Sequence, residues 1–341
     1  MDELTQLRRL HDDVEGVTDI SLERGRQRLA DQMRTTSPSR SSGFSKGIPR
    51  PRLVFSAIAV TAVVAIGVGA SVIGLGPGAG ASAEAAGLLE RAAFTSITAA
   101  DLVVGGGQYL RVETDAVYPA YTTAGDLQNW EDDAVYLSPS TITIYIPAEE
   151  SDVWVEERSY SEPTTWFDAA GKQAARSNWA SMAEDAAPSI TRAANGEFYG
   201  PRSSEENLME MPRDGEDLLR YFYDTSSGGS SSPEEDAFVR ITTVLRSAEA
   251  PADLRSALYE ALIHLPGIEV TAQEATLDGR TGVALGRQES SRHYRVEIIV
   301  DPSTGLLIGE REVTTRDVGA MPAGTVQAWT AVTTSVVDSA P

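Results

Sequence analysis

The amino-acid sequence predicts an α+β fold: a single transmembrane helix, then an extracytoplasmic domain with a mostly antiparallel open sheet covered by helices. Three observations predict it. Leu53 to Leu75 runs 23 residues without a charge, long enough at about 1.5 Å per residue to cross a hydrocarbon core. Beyond it, several segments alternate apolar and polar residues with the period of half-buried strands. Among them, residues 252–265 place Leu254, Leu258, Ala261, Leu262 and Leu265 on one helical face, and Pro266-Gly267 stops the chain.

In chain order, residues 1–52 form a cytoplasmic segment with two thin helical stripes, Leu4, Leu7 and Leu10, then Leu22, Arg26, Leu29 and Met33. Neither stripe buries enough to fold without a partner. Thr35 to Lys46 is a polar, Ser-rich linker. The span at 53–75 lacks the polar stripe of a core helix and lies far from the N-terminus for a cleaved signal, although Ala79-Gly80-Ala81 resembles a small-residue cleavage site. Arg40, Lys46, Arg50 and Arg52 precede the span, and no Lys or Arg follows until Arg91. Positive flanks resist translocation, so the N-terminus is expected in the cytoplasm and the C-terminal part outside, at the cell membrane.

Residues 76–82 read as a Gly-rich hinge, with Pro77 disrupting any phosphate-loop pattern. The outer domain, 83–341, opens with a helix to about Ile97, with Ser82 as N-cap and Glu84 in its first turn. Strand patterns follow at 108–118, 141–146 and 152–160. Residues 169–211 read as loops and short helical pieces around Trp179. Asp214 leads a short helix to Tyr223. Ser232-Pro233-Glu234-Glu235 combines an N-cap, a proline at the first helical position and a capping-box glutamate, which predicts a helix to Ser247, with a strand as the alternative. After the 252–265 helix comes a meander: strands from Ile268, from Thr281 and from Tyr294 to Val300, another from Leu306, and a last one over 326–337, joined by turns at Asp278-Gly279 and Asp301–Gly305.

Charge narrows the partners. The chain has 28 Lys and Arg against 50 Asp and Glu, a net −22; residues 1–52 hold 10 against 8, leaving 18 against 42 for the remainder. A domain this acidic repels nucleic acid. With no cysteine and only His11, His264 and His293, neither a disulfide framework nor a thiolate or histidine metal site is expected. The acidic runs Glu131–Asp133 and Glu149–Asp152 match no calcium-loop spacing and read as solvated loops. No nucleophile elbow, phosphate loop or Ser-x-x-Lys signature occurs. The sequence therefore assigns no catalytic residue, no cofactor-binding residue and no metal ligand, and the expected protein is not an enzyme. Trp130, Trp154, Trp166, Trp179 and Trp329 read mainly as core, some as lining for a groove.

The N-terminal MDELTQLRRLHDDV, the basic IPRPR before the span, ASAEAAGLLERAAF, ALYEALIHLPGIEV and the hairpin IIVDPSTGLLIGEREV together resemble a family of actinobacterial single-pass membrane proteins of unassigned function, often encoded beside extracytoplasmic-function sigma factors. The resemblance implies an outer domain similar to the half-barrel sheets of lipoprotein carriers and sigma-regulator sensors. It also implies an envelope-sensing, anti-sigma-like role, with a sigma factor engaged through residues 1–35. The zinc-binding anti-sigma pattern, a histidine followed by two close cysteines, cannot form here. The alternative is a membrane-tethered module for a lipid or lipoprotein, the inner segment being only a tether.

Overall fold

The chain divides into two compact units, Met1–Ala70 and Ser71–Pro341. The computed structural model describes residues 80–98, 101–121, 134–182, 187–199 and 207–341, all within the second unit. The inner stripes, the span at 53–75, most of the hinge, Trp130 and the acidic run 131–133 lie outside the described residues. No helix among the described residues is long and apolar enough to cross a membrane.

The α+β class holds. Helix α1 (Ala83–Thr98) is followed by strands β1 (Tyr109–Tyr121), β2 (Val135–Pro147), β3 (Val153–Tyr160) and the short β4 (Thr165–Trp166). Helix α2 (Ala169–Met182) and β5 (Ser189–Ala194) come next, and then three helices, α3 (Gly215–Asp224), α4 (Pro233–Ser247) and α5 (Ala252–His264). The meander closes the chain: β6 (Glu269–Leu277), β7 (Arg280–Gln288), β8 (Tyr294–Val300), β9 (Leu307–Thr314) and β10 (Val326–Val337). All pair antiparallel in one ten-stranded sheet, ordered β5-β3-β2-β1-β10-β9-β8-β7-β6, with β4 against β2. Two meanders are thus sewn together where the last strand meets the first, Tyr109–Val117 against Val337–Trp329. The helices α3 to α5 fill the connection between them.

Local chemistry sets each helix. The Ser82 hydroxyl accepts from Ala85 N–H at 3.3 Å, and Asp214 caps α3 by accepting from Glu216 and Asp217. At α4 the Ser232 hydroxyl accepts from Glu235 N–H at 3.0 Å, while the Glu235 carboxylate accepts from Ser231 N–H, one residue before the cap. Ala81 and Ser82, at the end of the expected hinge, are bonded to the domain: their N–H groups donate to the Ile263 and Ile268 carbonyls at 2.8 Å.

Helices α1, α3, α4 and α5 share one core with the sheet. Leu89, Leu218, Phe222, Ile241, Leu258 and Leu262 pack with Leu285 and Ile298, register partners on β7 and β8. The next pair along, Ala284 and Ile299, faces the other way into a smaller cluster with Leu277 and Ile308. The sheet curls towards that second face: Leu277 of β6 lies close against Gly309 of β9, although two strands separate them. The hairpin between β6 and β7 turns through Asp278 (φ 47°) and Gly279 (φ 74°), both left-handed, as the Asp-Gly pair predicts.

Two expectations change. Residues 169–211 hold a fourteen-residue helix, α2, and a strand, β5, rather than loops and short pieces. β2 starts at Val135, six residues before the predicted strand, and β1 continues three residues beyond its predicted end, to Tyr121.

Candidate functional site

A cavity of about 750 Å³ lies where the α4–α5 connection passes over the junction of the two meanders. Leu110 of β1, Ile146 of β2 and Val332 of β10 form one wall. Leu245, in the last turn of α4, and Ala248 and Ala250 beyond it form a second. Ala248 ends α4 in the left-handed region, φ 60°, which turns the chain sharply across the opening. The remaining walls are Leu102 and Val104, from the arm that joins α1 to β1, and Leu306 to Ile308, where the β8–β9 turn enters β9.

Specific bonds hold these walls in place. Helix α5 begins at Pro251, which offers no side-chain cap; Asp101 supplies one from the arm, accepting from Ala252 N–H at 3.1 Å and pairing with Arg255 at 2.7 Å. Arg255 also donates to the Ala250 carbonyl at 2.7 Å. The β8–β9 turn docks on α1, where Ser96 Oγ donates to the Gly305 carbonyl at 3.1 Å. Gly305 has φ 67°, and a Cβ there would stand 2.6 Å from the Ala92 carbonyl oxygen, so glycine is what lets the turn approach the helix. Asp301 starts this turn. Burial pushes its carboxyl up, but hydrogen bonds from Ser303 and Thr304 outweigh that and hold it below the ordinary carboxylate range.

Of the lining residues, Leu102 and Leu306 are exposed large apolar side chains. Apolar walls with a few fixed polar groups, at this volume, are what a small-molecule site offers.

A second cavity of about 310 Å³ borders α4 on another side, between Glu235, Val239 and Arg246 and the sheet residues Tyr118, Tyr294, Glu310 and Glu312. Its charges are largely satisfied among themselves: Arg246 pairs with Glu310, Arg292 with Glu235 at 2.9 Å, and Gln327 donates to Glu312 at 2.8 Å. Burial, with Glu310 nearby, raises the Glu312 carboxyl against the pull of Gln327 and Arg292. This network ties α4 to β8–β10.

The residues weighed in the sequence fall elsewhere. His264 is exposed at the end of α5, and His293 meets Gln327 at 3.2 Å and Tyr294 edge to face. Glu149 to Asp152 form the β2–β3 turn, and no cluster of metal-ligating side chains occurs among the described residues. Trp154 is buried and donates to the Glu150 carbonyl at 2.9 Å; Trp166 lies under Lys172. None of the described tryptophans lines the larger cavity, and Trp329 borders the smaller one. The lining residues carry no sequence signal, because leucines and valines at strand ends look the same whether they meet a neighbour or a void.

No protein-family model matches the chain, and no curated protein matches it. Among solved structures, a DUF1329 family protein from Desulfovibrio piger matches at 10% identity, covering 74% of this chain and 91% of that one, with a TM-score of 0.20. A likeness that distant carries no argument about this chain.

Proposed function

We propose that this chain is a membrane-anchored binding module, held at the cell membrane by residues 53–75 with its N-terminus in the cytoplasm, whose outer domain takes the apolar chain of a lipid or lipoprotein. The observation that carries this reading is the cavity of about 750 Å³ bounded by Leu102, Leu110, Ile146, Leu245, Leu306 and Val332. Each methylene transferred from water to such walls contributes about 0.8 kcal/mol, so a long acyl chain has ample driving force to enter. Val104 lines the cavity and is only partly buried, so Val104→Trp fills the space at small cost to the fold. Lipids extracted from the purified full chain are expected to include a species retained by the wild type and missing from Val104→Trp. Identical lipid profiles would count against the reading.

A second reading rests on the stripe of Leu22, Arg26, Leu29 and Met33. An amphipathic segment that cannot fold alone suits a cytoplasmic partner such as a sigma factor, and it would make the outer domain the sensor of an anti-sigma-like regulator. A pull-down with the full chain from its native host tests it: a sigma factor recovered by the wild type and lost on Leu29→Asp supports the coupling, and no specific partner reduces residues 1–52 to a tether.

A further inference from the structure

We infer that the cavity selects an amphiphile bearing an anionic group, carboxylate or phosphate, and that Arg280 receives that group. The inference rests on the binding reading above and adds the chemical class of the ligand. Arg280 opens β7 directly after the Asp278-Gly279 turn and lines the cavity. Its guanidinium donates to the Ile308 carbonyl at 3.2 Å, and its Nε is shut from solvent with no hydrogen-bond partner. No carboxylate among the described residues lies within ion-pair distance of it. In a chain of net charge −22, a half-buried cation left without a carboxylate beside apolar walls is unusual, and its shielded Nε, which has no acceptor, is costly to leave unpaired.

The carboxylates that also line the cavity do not fill this gap. Asp101 is committed to Arg255 and Ala252 N–H. Asp301 is committed to the β8–β9 turn, where it accepts from Ser303 N–H at 2.8 Å. Glu150 is exposed to solvent, and Glu249, half-buried in the α4–α5 connection, has an interaction of its own. Arg255, the other lining cation, already has Asp101. A ligand with an apolar chain and one anionic group would place the chain against Leu110, Leu245 and Val332 and bring to Arg280 the charge it lacks. A neutral amphiphile of the same length would gain the apolar contacts alone.

The test uses the full chain in membranes labelled by a photoactivatable fatty acid, with oleate, lysophosphatidate and oleyl alcohol as competitors. For each anion, the ratio of its half-competing concentration to that of oleyl alcohol is compared between wild type and Arg280→Gln, so that unequal partition into the bilayer cancels. We expect Arg280→Gln to weaken the anions by roughly tenfold relative to the alcohol, and Arg280→Lys to retain most of the preference. Loss for one anion only identifies whether a carboxylate or a phosphate is received. Cavity labelling with an unchanged ratio would overturn the inference and leave the binding reading standing. Absence of cavity labelling in the wild type would overturn both. Should Arg280→Gln not fold, equal weakening of anions and alcohol by added salt in the wild type would overturn the inference in its place.

Discussion

Glu297 stands in β8 with its side chain 1% exposed, between Arg295 at 2.5 Å and Arg311 at 2.6 Å. Its register partner on β7 is Gly286, where a Cβ would come 2.9 Å from Glu297 Cγ, so the glycine leaves room for the carboxylate. Burial alone would raise the Glu297 carboxyl, but Arg311 and Arg295 outweigh it and hold the group below its ordinary 4.5. The folded value therefore lies below the unfolded one. The stabilisation is present above about pH 4.5 and is lost as pH falls through the folded value. Glu297→Ala leaves two guanidiniums facing each other and is expected to cost about 3 kcal/mol at neutral pH, the low end for a broken buried pair because both arginines keep some contact with water. Urea unfolding against pH checks this: the gap between wild type and variant should narrow in acid, and a gap constant to low pH would place its source outside the ionised carboxylate. Neither this residue nor Arg280 is legible in the sequence. The alternation in β8 puts Arg295 and Glu297 opposite Val296 and Ile298, which reads as a solvent face; only the curl that brings Leu277 against Gly309 makes that side an interior.

Elements are legible wherever the chain carries its own local signal. Ser232 and Glu235 announce α4 despite its β-branched residues, and Asp278-Gly279 sets the β6–β7 register. Strand length is obscured at prolines. Pro139 sits on β2 between the stretch paired with β4, Tyr136 and Leu137, and the stretch paired with β3, which starts at Ser140. Pro119 sits on β1 past Val117, where pairing with β10 has ended. Each missing N–H falls at a gap in the ladder, so the strands continue through. Helix α2 escapes the sequence pattern because it has no large apolar stripe: only Gly171 and Ala175 are buried, and Gly171 rests directly on the β2 backbone at Val135. β5 shows no apolar alternation because it is an edge strand, largely exposed, with Arg192 in its middle. The elements that shape the cavity, the Asp101 arm and the Ala248 turn, are irregular backbone fixed by distant partners, and no local pattern encodes them.

For the whole molecule, ten antiparallel strands and one helix layer sharing a core explain how the domain stands without disulfides. The topology also places the cavity. Joining the first strand to the last brings β2, β1 and β10 beside the β8–β9 turn, and the α4–α5 connection lies over that junction. In the reading proposed above, anchor and cavity belong to one device, since a chain tethered beside a bilayer meets lipid at high local concentration. The most direct measurement is the site of covalent labelling in the full chain, embedded in membranes, by a photoactivatable fatty acid, located by peptide mass spectrometry. The account predicts label on Leu102–Val104, Leu245–Ala250 and Leu306–Ile308, lost on Val104→Trp; label confined to residues 53–75 and insensitive to that substitution would contradict it.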